Sequence, residues 1–165
     1  MTQGKEENIL VAYFSHSGNT REIANQIHHS VGGSIFEIRT VKTYPHDYDA
    51  VVKEARQELD TSYKPELKTK IEDIGSYTLV FIGYPNWWGT IPAPVRVLLS
   101  EYDFSGKRIA PFCTHEGSGL GRSVADISKL CPKSTVLEGM AIRGRDVKSA
   151  QNRISEWLRG IEMPT

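Results

Sequence analysis

Three short runs that are apolar at nearly every position constrain this chain most: Ile9–Phe14 (ILVAYF), Thr78–Gly83 (TLVFIG) and Arg108–Cys113 (RIAPFC). A strand with one wet face alternates apolar and polar residues, so a β-rich run without that alternation has to be covered on both faces. The stretches between them carry a helical period instead. From Thr20 onward Ile23, Ala24, Ile27 and Val31 fall on one face, and Gly32-Gly33 supply the stop. Ser34–Ile38 reads as a second strand, followed by a helix from about Tyr48 to Leu59 and a polar stretch around Lys64 to Asp73. Pro92 opens a short helix through Val95, Leu98 and Leu99, standing at a first-turn position that tolerates proline. The pattern then predicts a helix over Ser118–Leu130, a fifth strand over Ser134–Met140 and a closing helix over Val147–Leu158 that carries Ile154, Trp157 and Leu158.

Strands alternating with helices at this spacing imply right-handed βαβ units and a parallel sheet with helices on both faces. The expected fold class is therefore α/β, a three-layer αβα sandwich around five parallel strands. The 165 residues suit a single domain over 1–165, since no repeat, low-complexity tract or linker divides them. Such sheets bind ligands beyond the carboxyl ends of their strands, where the strand order reverses. Chemistry is expected in the loops after strands one, three and four.

Composition narrows the functional classes. Lys plus Arg equals Asp plus Glu at 20 each, and no dense basic run appears, so no nucleic-acid partner is expected. Cys113 and Cys131 lack metal-ligand or CxxC spacing and read as buried free thiols. The leader MTQGKEEN is polar and without the apolar stretch of a signal peptide, and no later run reaches spanning length. A cytoplasmic protein with no membrane insertion is expected.

The first loop, Ser15-His16-Ser17-Gly18-Asn19-Thr20, sets three hydroxyls, an amide and a glycine between a buried strand and a helix N-terminus. First-turn N–H groups have no intrahelical acceptor and carry the positive end of the helix dipole, which makes an anion site. Gly18 lets the backbone curl closely around a phosphate. An N-cap alone would need one such residue; here there are four. The loop lacks the lysine of GxxxxGK[ST] and the spacing of GxGxxG, so a terminal monophosphate suits it better than a triphosphate.

The second loop runs Tyr84-Pro85-Asn86-Trp87-Trp88-Gly89-Thr90-Ile91-Pro92. Side chains of adjacent loop residues diverge, so Trp87 and Trp88 are not both expected in the core. At least one is expected to lie exposed or to cover a flat apolar ligand, because aromatic faces stack on planar rings; an edge cap or a protein interface is the alternative. The third loop, Thr114-His115-Glu116-Gly117-Ser118-Gly119, has small residues that let backbone N–H groups approach a ring edge. His115 and Glu116 invite a general acid/base reading, but neither a nucleophile nor an orienting third group is evident, and no catalytic residue is assigned.

In order and in residues these loops resemble those of the flavodoxin family, in particular its short-chain bacterial members. Ser15–Thr20 matches that family's phosphate loop, Thr/Ser-x-Thr/Ser-Gly-x-Thr, completely. The similarity runs from about Ile9 to Leu158. It implies a flavodoxin-like sheet of order 2-1-3-4-5 and one non-covalent FMN. The cofactor-binding residues would be Ser15, His16, Ser17, Gly18, Asn19 and Thr20 at the phosphate. Pro85, Asn86, Trp87, Trp88 and Gly89 would lie over the isoalloxazine, and Thr114, His115, Glu116, Gly117, Ser118 and Gly119 at its pyrimidine and edge. A carbonyl of Trp88 or Gly89 would face flavin N5, and an apolar sandwich would disfavour a negatively charged reduced ring.

The resemblance implies an electron carrier, with a reductase and an acceptor as redox partner proteins. An NAD(P)H-dependent FMN quinone or azo reductase on the same fold is the alternative. It would need an open flavin face and a second pocket, for which only the stretch Lys64–Asp73 offers material. The neutral charge departs from the strongly acidic family pattern, and His115-Glu116 places ionisable groups where such loops are commonly small and neutral. Tyr44-Pro45 and Tyr48 follow strand two, but no spacing argument brings them to the ring.

Overall fold

A computed structural model describes residues 8–163; the polar leader read above lies outside them except for Asn8, as do Pro164 and Thr165. In chain order the elements are β1 (Ile9–Tyr13), α1 (Asn19–Val31), β2 (Ser34–Glu37), α2 (Tyr48–Thr61), β3 (Leu79–Pro85), α3 (Ala93–Glu101), β4 (Arg108–His115), α4 (Ser123–Leu130), β5 (Thr135–Val136), β6 (Met140–Arg143) and α5 (Gln151–Gly160). Turns of 3₁₀ helix cover Ile74–Ser76 and Gly144–Ser149. The sheet is parallel in every paired strand and ordered β2-β1-β3-β4-β5, with β6 also pairing β4. This is the flavodoxin-like order the resemblance implied.

Both faces of the central strands are buried, as their unbroken apolar character requires. Ile9, Val11 and Tyr13 of β1 join Leu79 and Phe81 of β3 under α1 and α5, whose Ile23, Ile27, Ile154, Trp157 and Leu158 cover that face. The alternate residues Leu10, Ala12, Val80, Ile82 and Tyr84 face the opposite way, under Val95, Leu98 and Leu99 of α3 and Ile127 of α4. Gly83 is a packing requirement. A Cβ there would stand 2.1 Å from Cζ of Phe112, its register partner on β4. The Phe112 ring fills the space of the missing side chain and lies 6.4 Å from the Trp157 ring.

Three boundaries differ from the sequence reading, each for a tertiary or glycine-borne reason. The fifth strand is interrupted: β5 pairs Arg108 and Ile109, and β6 resumes opposite Phe112. Between them the Glu138 carbonyl turns out of the ladder to accept the Trp157 indole N–H at 2.8 Å. The fourth helix begins at Ser123 and not Ser118, because Gly119 and Gly121 take φ of +67° and +55°, which helical backbone cannot. The closing α-helix begins at Gln151, the residues from Gly144 being 3₁₀. The stretch Lys64–Asp73 lies along the edge of the sheet. Val41 N donates to Glu66 O and Lys68 N to Arg39 O, with Thr40 bridging Leu67 antiparallel. It covers the carboxyl end of β2, where the Thr69 hydroxyl donates to Glu37 O at 2.9 Å.

Candidate functional site

The carboxyl ends of β1, β3 and β4 lie side by side, and at β1 the strand order reverses between β2 and β3. All three loops singled out from the sequence leave the sheet here.

In the first loop Gly18 occupies the N-cap of α1 with φ +101°, and a Cβ placed on it would meet nothing within 4 Å. Its space is open above the helix start, and Gly18, having no side chain, makes no capping bond of its own there. Ser15 Oγ accepts from Gly18 N and Arg21 N, each at 3.2 Å, and Ser17 Oγ accepts from Asn19 N at 3.4 Å. These bonds are long, and the hydroxyls are gathered with the first-turn N–H groups at the positive end of α1. The cation in the first turn of α1 is engaged elsewhere, for Arg21 donates to Glu37 Oε2 at 2.6 Å. Burial pushes the Glu37 carboxyl up, but Arg21 and Arg39 together hold it below its ordinary value. The site is a neutral-donor cradle.

Two residues of that loop turn away from it. His16 places Nε2 2.7 Å from the Pro45 carbonyl and its ring edge-on to Trp87 at 6.0 Å. Thr20 is buried, its Oγ1 2.8 Å from Oγ1 of Thr114. That bond joins the start of α1 to the end of β4 across 94 residues of sequence.

The tryptophans of the second loop diverge. Trp87 is half-buried in a cluster with Phe14 at 5.4 Å and Tyr44 at 5.1 Å between ring centroids, both edge-on. Trp88 takes φ +58° and leaves in the opposite direction. Its indole N–H donates to Val52 O at 2.8 Å, the Arg56 guanidinium lies 5.1 Å from its ring, and 44% of it is exposed. Tyr44, for which no spacing argument set a place, is held by a 2.7 Å bond from its hydroxyl to Glu58 Oε1. Burial raises the Glu58 carboxyl above its ordinary value, with the nearby charge of Glu54 adding to it.

Asn86 ties the second loop to the third. Its N–H donates to Thr114 O at 2.8 Å, its Nδ2 to Gly119 O at 2.7 Å, and its Oδ1 accepts from Gly89 N at 2.8 Å. The Gly89 carbonyl accepts from Arg122 N at 2.8 Å, and a Cβ on Gly121 would come within 2.3 Å of that oxygen. Both polar atoms of Gly89 are therefore engaged, which leaves the Trp88 carbonyl as the open member of the pair considered for N5.

Thr114 and His115 are the last residues of β4, with Pro85 facing Thr114 in register. Gly117 N donates to His115 Nδ1 at 2.9 Å, so the neutral ring carries its proton on Nε2. Burial, then the Arg143 charge, lowers the basicity of His115, while Glu116 opposes them. Glu116, Gly117 and Ser118 are exposed. Cys113, just below, is a buried thiol pushed up to about 12 by burial.

Sequence reasoning did not place Phe14, Tyr44 or Arg143 beside these loops, Tyr44 being noted only as following strand two. The first two could not be assigned because no local period relates them to Trp87. Arg143 did carry a signal, since it ends the last strand and the same carboxyl-end rule covers that position.

Comparison with known proteins bears on the fold and the family. No curated protein matches the chain significantly. A solved structure from Bacteroides eggerthii DSM 20697 is 31% identical, with 94% of this chain and 98% of that one covered and a TM-score of 0.84. One from Bacteroides uniformis ATCC 8492 is 25% identical over 94% and 99%, with a TM-score of 0.80. The flavoprotein of Lactobacillus acidophilus NCFM, solved in complex with FMN, is 25% identical over 91% and 99%, with a TM-score of 0.73. The flavodoxin family model matches residues 8–161. With that match running through all three loops, the chain belongs to the flavodoxin family.

Proposed function

We propose that this protein holds one FMN non-covalently across the three loops and carries electrons in the cytoplasm from a reductase to an acceptor protein. The observation that carries the reading is the convergence at the switch point. A helix start with glycine at its N-cap, ringed by Ser15 and Ser17, lies one buried hydroxyl bridge, Thr20 to Thr114, from two loops that Asn86 fastens together. The Lactobacillus acidophilus flavoprotein, with FMN in its structure, supports the choice of ligand.

The donor set suits a phosphate monoester. Hydroxyls and N–H groups of residues 15–21 supply hydrogen bonds without a bare cation, and the open space over Gly18 admits an anion to the helix dipole. Trp87 and Trp88 offer aromatic surface for the ring, Trp87 steadied by its cluster and Trp88 by Val52 and Arg56. The loop residues from Pro85 to Gly89 and from Thr114 to Gly119 present backbone groups to the ring edge, with the Trp88 carbonyl left open as an acceptor. FMN, once bound, supplies one- and two-electron chemistry; the chain binds, orients and screens it from water.

Titration with FMN against riboflavin tests this. FMN should bind more tightly, and replacing Ser15 and Ser17 together by alanine should erase at least about tenfold of the preference, as hydrogen bonds to charged groups are worth about 1.5–3 kcal/mol. Failure to bind either flavin, or a preference that survives both substitutions, overturns the reading. For the carrier role, the flavin-loaded protein should not sustain NADH or NADPH oxidation with a quinone; steady turnover would make it a reductase.

A further inference from the structure

Outside the three loops, a cation stands at the carboxyl end of β6. Arg143 ends β6 and is the register partner of His115 on β4. Met140 and Ile142 of the same strand are buried under α1 and α5, so Arg143 faces the other way, with His115 and Cys113. Its Nη2 lies 3.0 Å from where a Gly117 Cβ would be, which together with φ +136° explains the glycine. The guanidinium is thus tucked against the backbone of the third loop, and it is half-buried. Among the described residues it has no hydrogen-bond or ion-pair partner, whereas Arg21 and Arg122, the arginines that follow the first and third loops, are each paired with a carboxylate. Glu116, the acid next to Gly117, sets its carboxylate oxygens instead about Gly144, 3.0 and 3.1 Å from the Cβ position there.

We propose that Arg143 is a positioning charge for the flavin ring: a guanidinium held behind Gly117 that favours the reduced, negatively charged ring over the oxidised, neutral one. This rests on the FMN reading above, in which the third loop meets the pyrimidine. Two electrons from a reductase and one proton taken at N5 leave the ring with one negative charge, delocalised over N1 and the C2 carbonyl. A fixed cation in a partly desolvated site stabilises that charge and does little for the neutral ring. Its effect opposes that of the aromatic cover, and it would set this protein apart from carriers whose ring sits among neutral or acidic groups.

The test compares affinities for oxidised FMN and for FMN reduced by dithionite, in wild type, Arg143→Gln and Arg143→Lys. Arg143→Met, which keeps the aliphatic stem, replaces Gln if that variant does not fold. The expected result is that Gln weakens reduced FMN on the order of tenfold more than oxidised FMN, equivalent to about 30 mV in a two-electron midpoint, with Lys restoring most of it. Equal weakening of both forms, or no change in their ratio, overturns the proposal while leaving FMN binding intact. If wild type captures no FMN, the underlying reading falls with it.

Discussion

Removing the Asn86 side chain tests whether the second and third loops form one unit. Asn86→Ala deletes two side-chain hydrogen bonds, from Gly89 N at 2.8 Å and to Gly119 O at 2.7 Å. Each is a neutral bond of ordinary length, worth about 1 kcal/mol net. Asn86 is only half-buried, so water can reach the groups left behind and no full desolvation penalty is added. The expected loss is about 2 kcal/mol, which at ~2–4 °C per kcal/mol for a domain of this size lowers Tm by roughly 4–8 °C. Thermal melting of the flavin-free protein followed by circular dichroism reads this directly. A second consequence separates the latch from the phosphate cradle: affinity for FMN and for riboflavin should fall by the same factor, because Asn86 shapes the ring's surroundings and not the first loop. A melting point within a degree of wild type would refute the assignment. So would a loss confined to FMN.

Gly83→Ala should cost about 1–3 kcal/mol or more by overpacking, since its Cβ would strike the Phe112 ring at 2.1 Å; adding Phe112→Leu should recover part of it in urea unfolding, and additive losses would contradict the contact. Glu58 makes a pH prediction. Its carboxyl is raised chiefly by burial from the ordinary 4.5, so its favourable contribution is complete below that value and is lost as pH rises through the higher folded value. Glu58→Gln should lack that decline, and identical stability–pH slopes for the two proteins would dismiss the burial argument. Cys113 should resist Ellman's reagent at pH 8, being 1% exposed with its thiol pushed up to about 12. Labelling much faster than global unfolding would show that its cover opens independently.

The polar stretch Lys64–Asp73 shows how far local pattern reaches. Its composition marks it as irregular, and it is, yet its pairing with Arg39 to Val41 at the sheet edge depends on a chain path that no window of residues contains. The tryptophan pair shows the reverse. Adjacent side chains on a loop must diverge, so the separation of Trp87 and Trp88 followed from chain geometry alone. Which one meets Phe14 and Tyr44 and which lies on α2 turned on the positive φ of Trp88.

Fold class, the positions of the first four strands and the three candidate loops were legible in the sequence by itself, because burial on both faces, helical period and helix-start chemistry are written within a few residues of one another. Contacts between segments were not. The hydroxyl bridge from Thr20 to Thr114, the Asn86 latch, the interruption of the fifth strand by the Trp157 bond to Glu138, and the placing of Arg143 behind Gly117 each join residues far apart in the chain. Local periodicity says which side of a strand or helix is apolar. Only the packed sheet, by setting register and the order of its strands, decides which loop ends become neighbours.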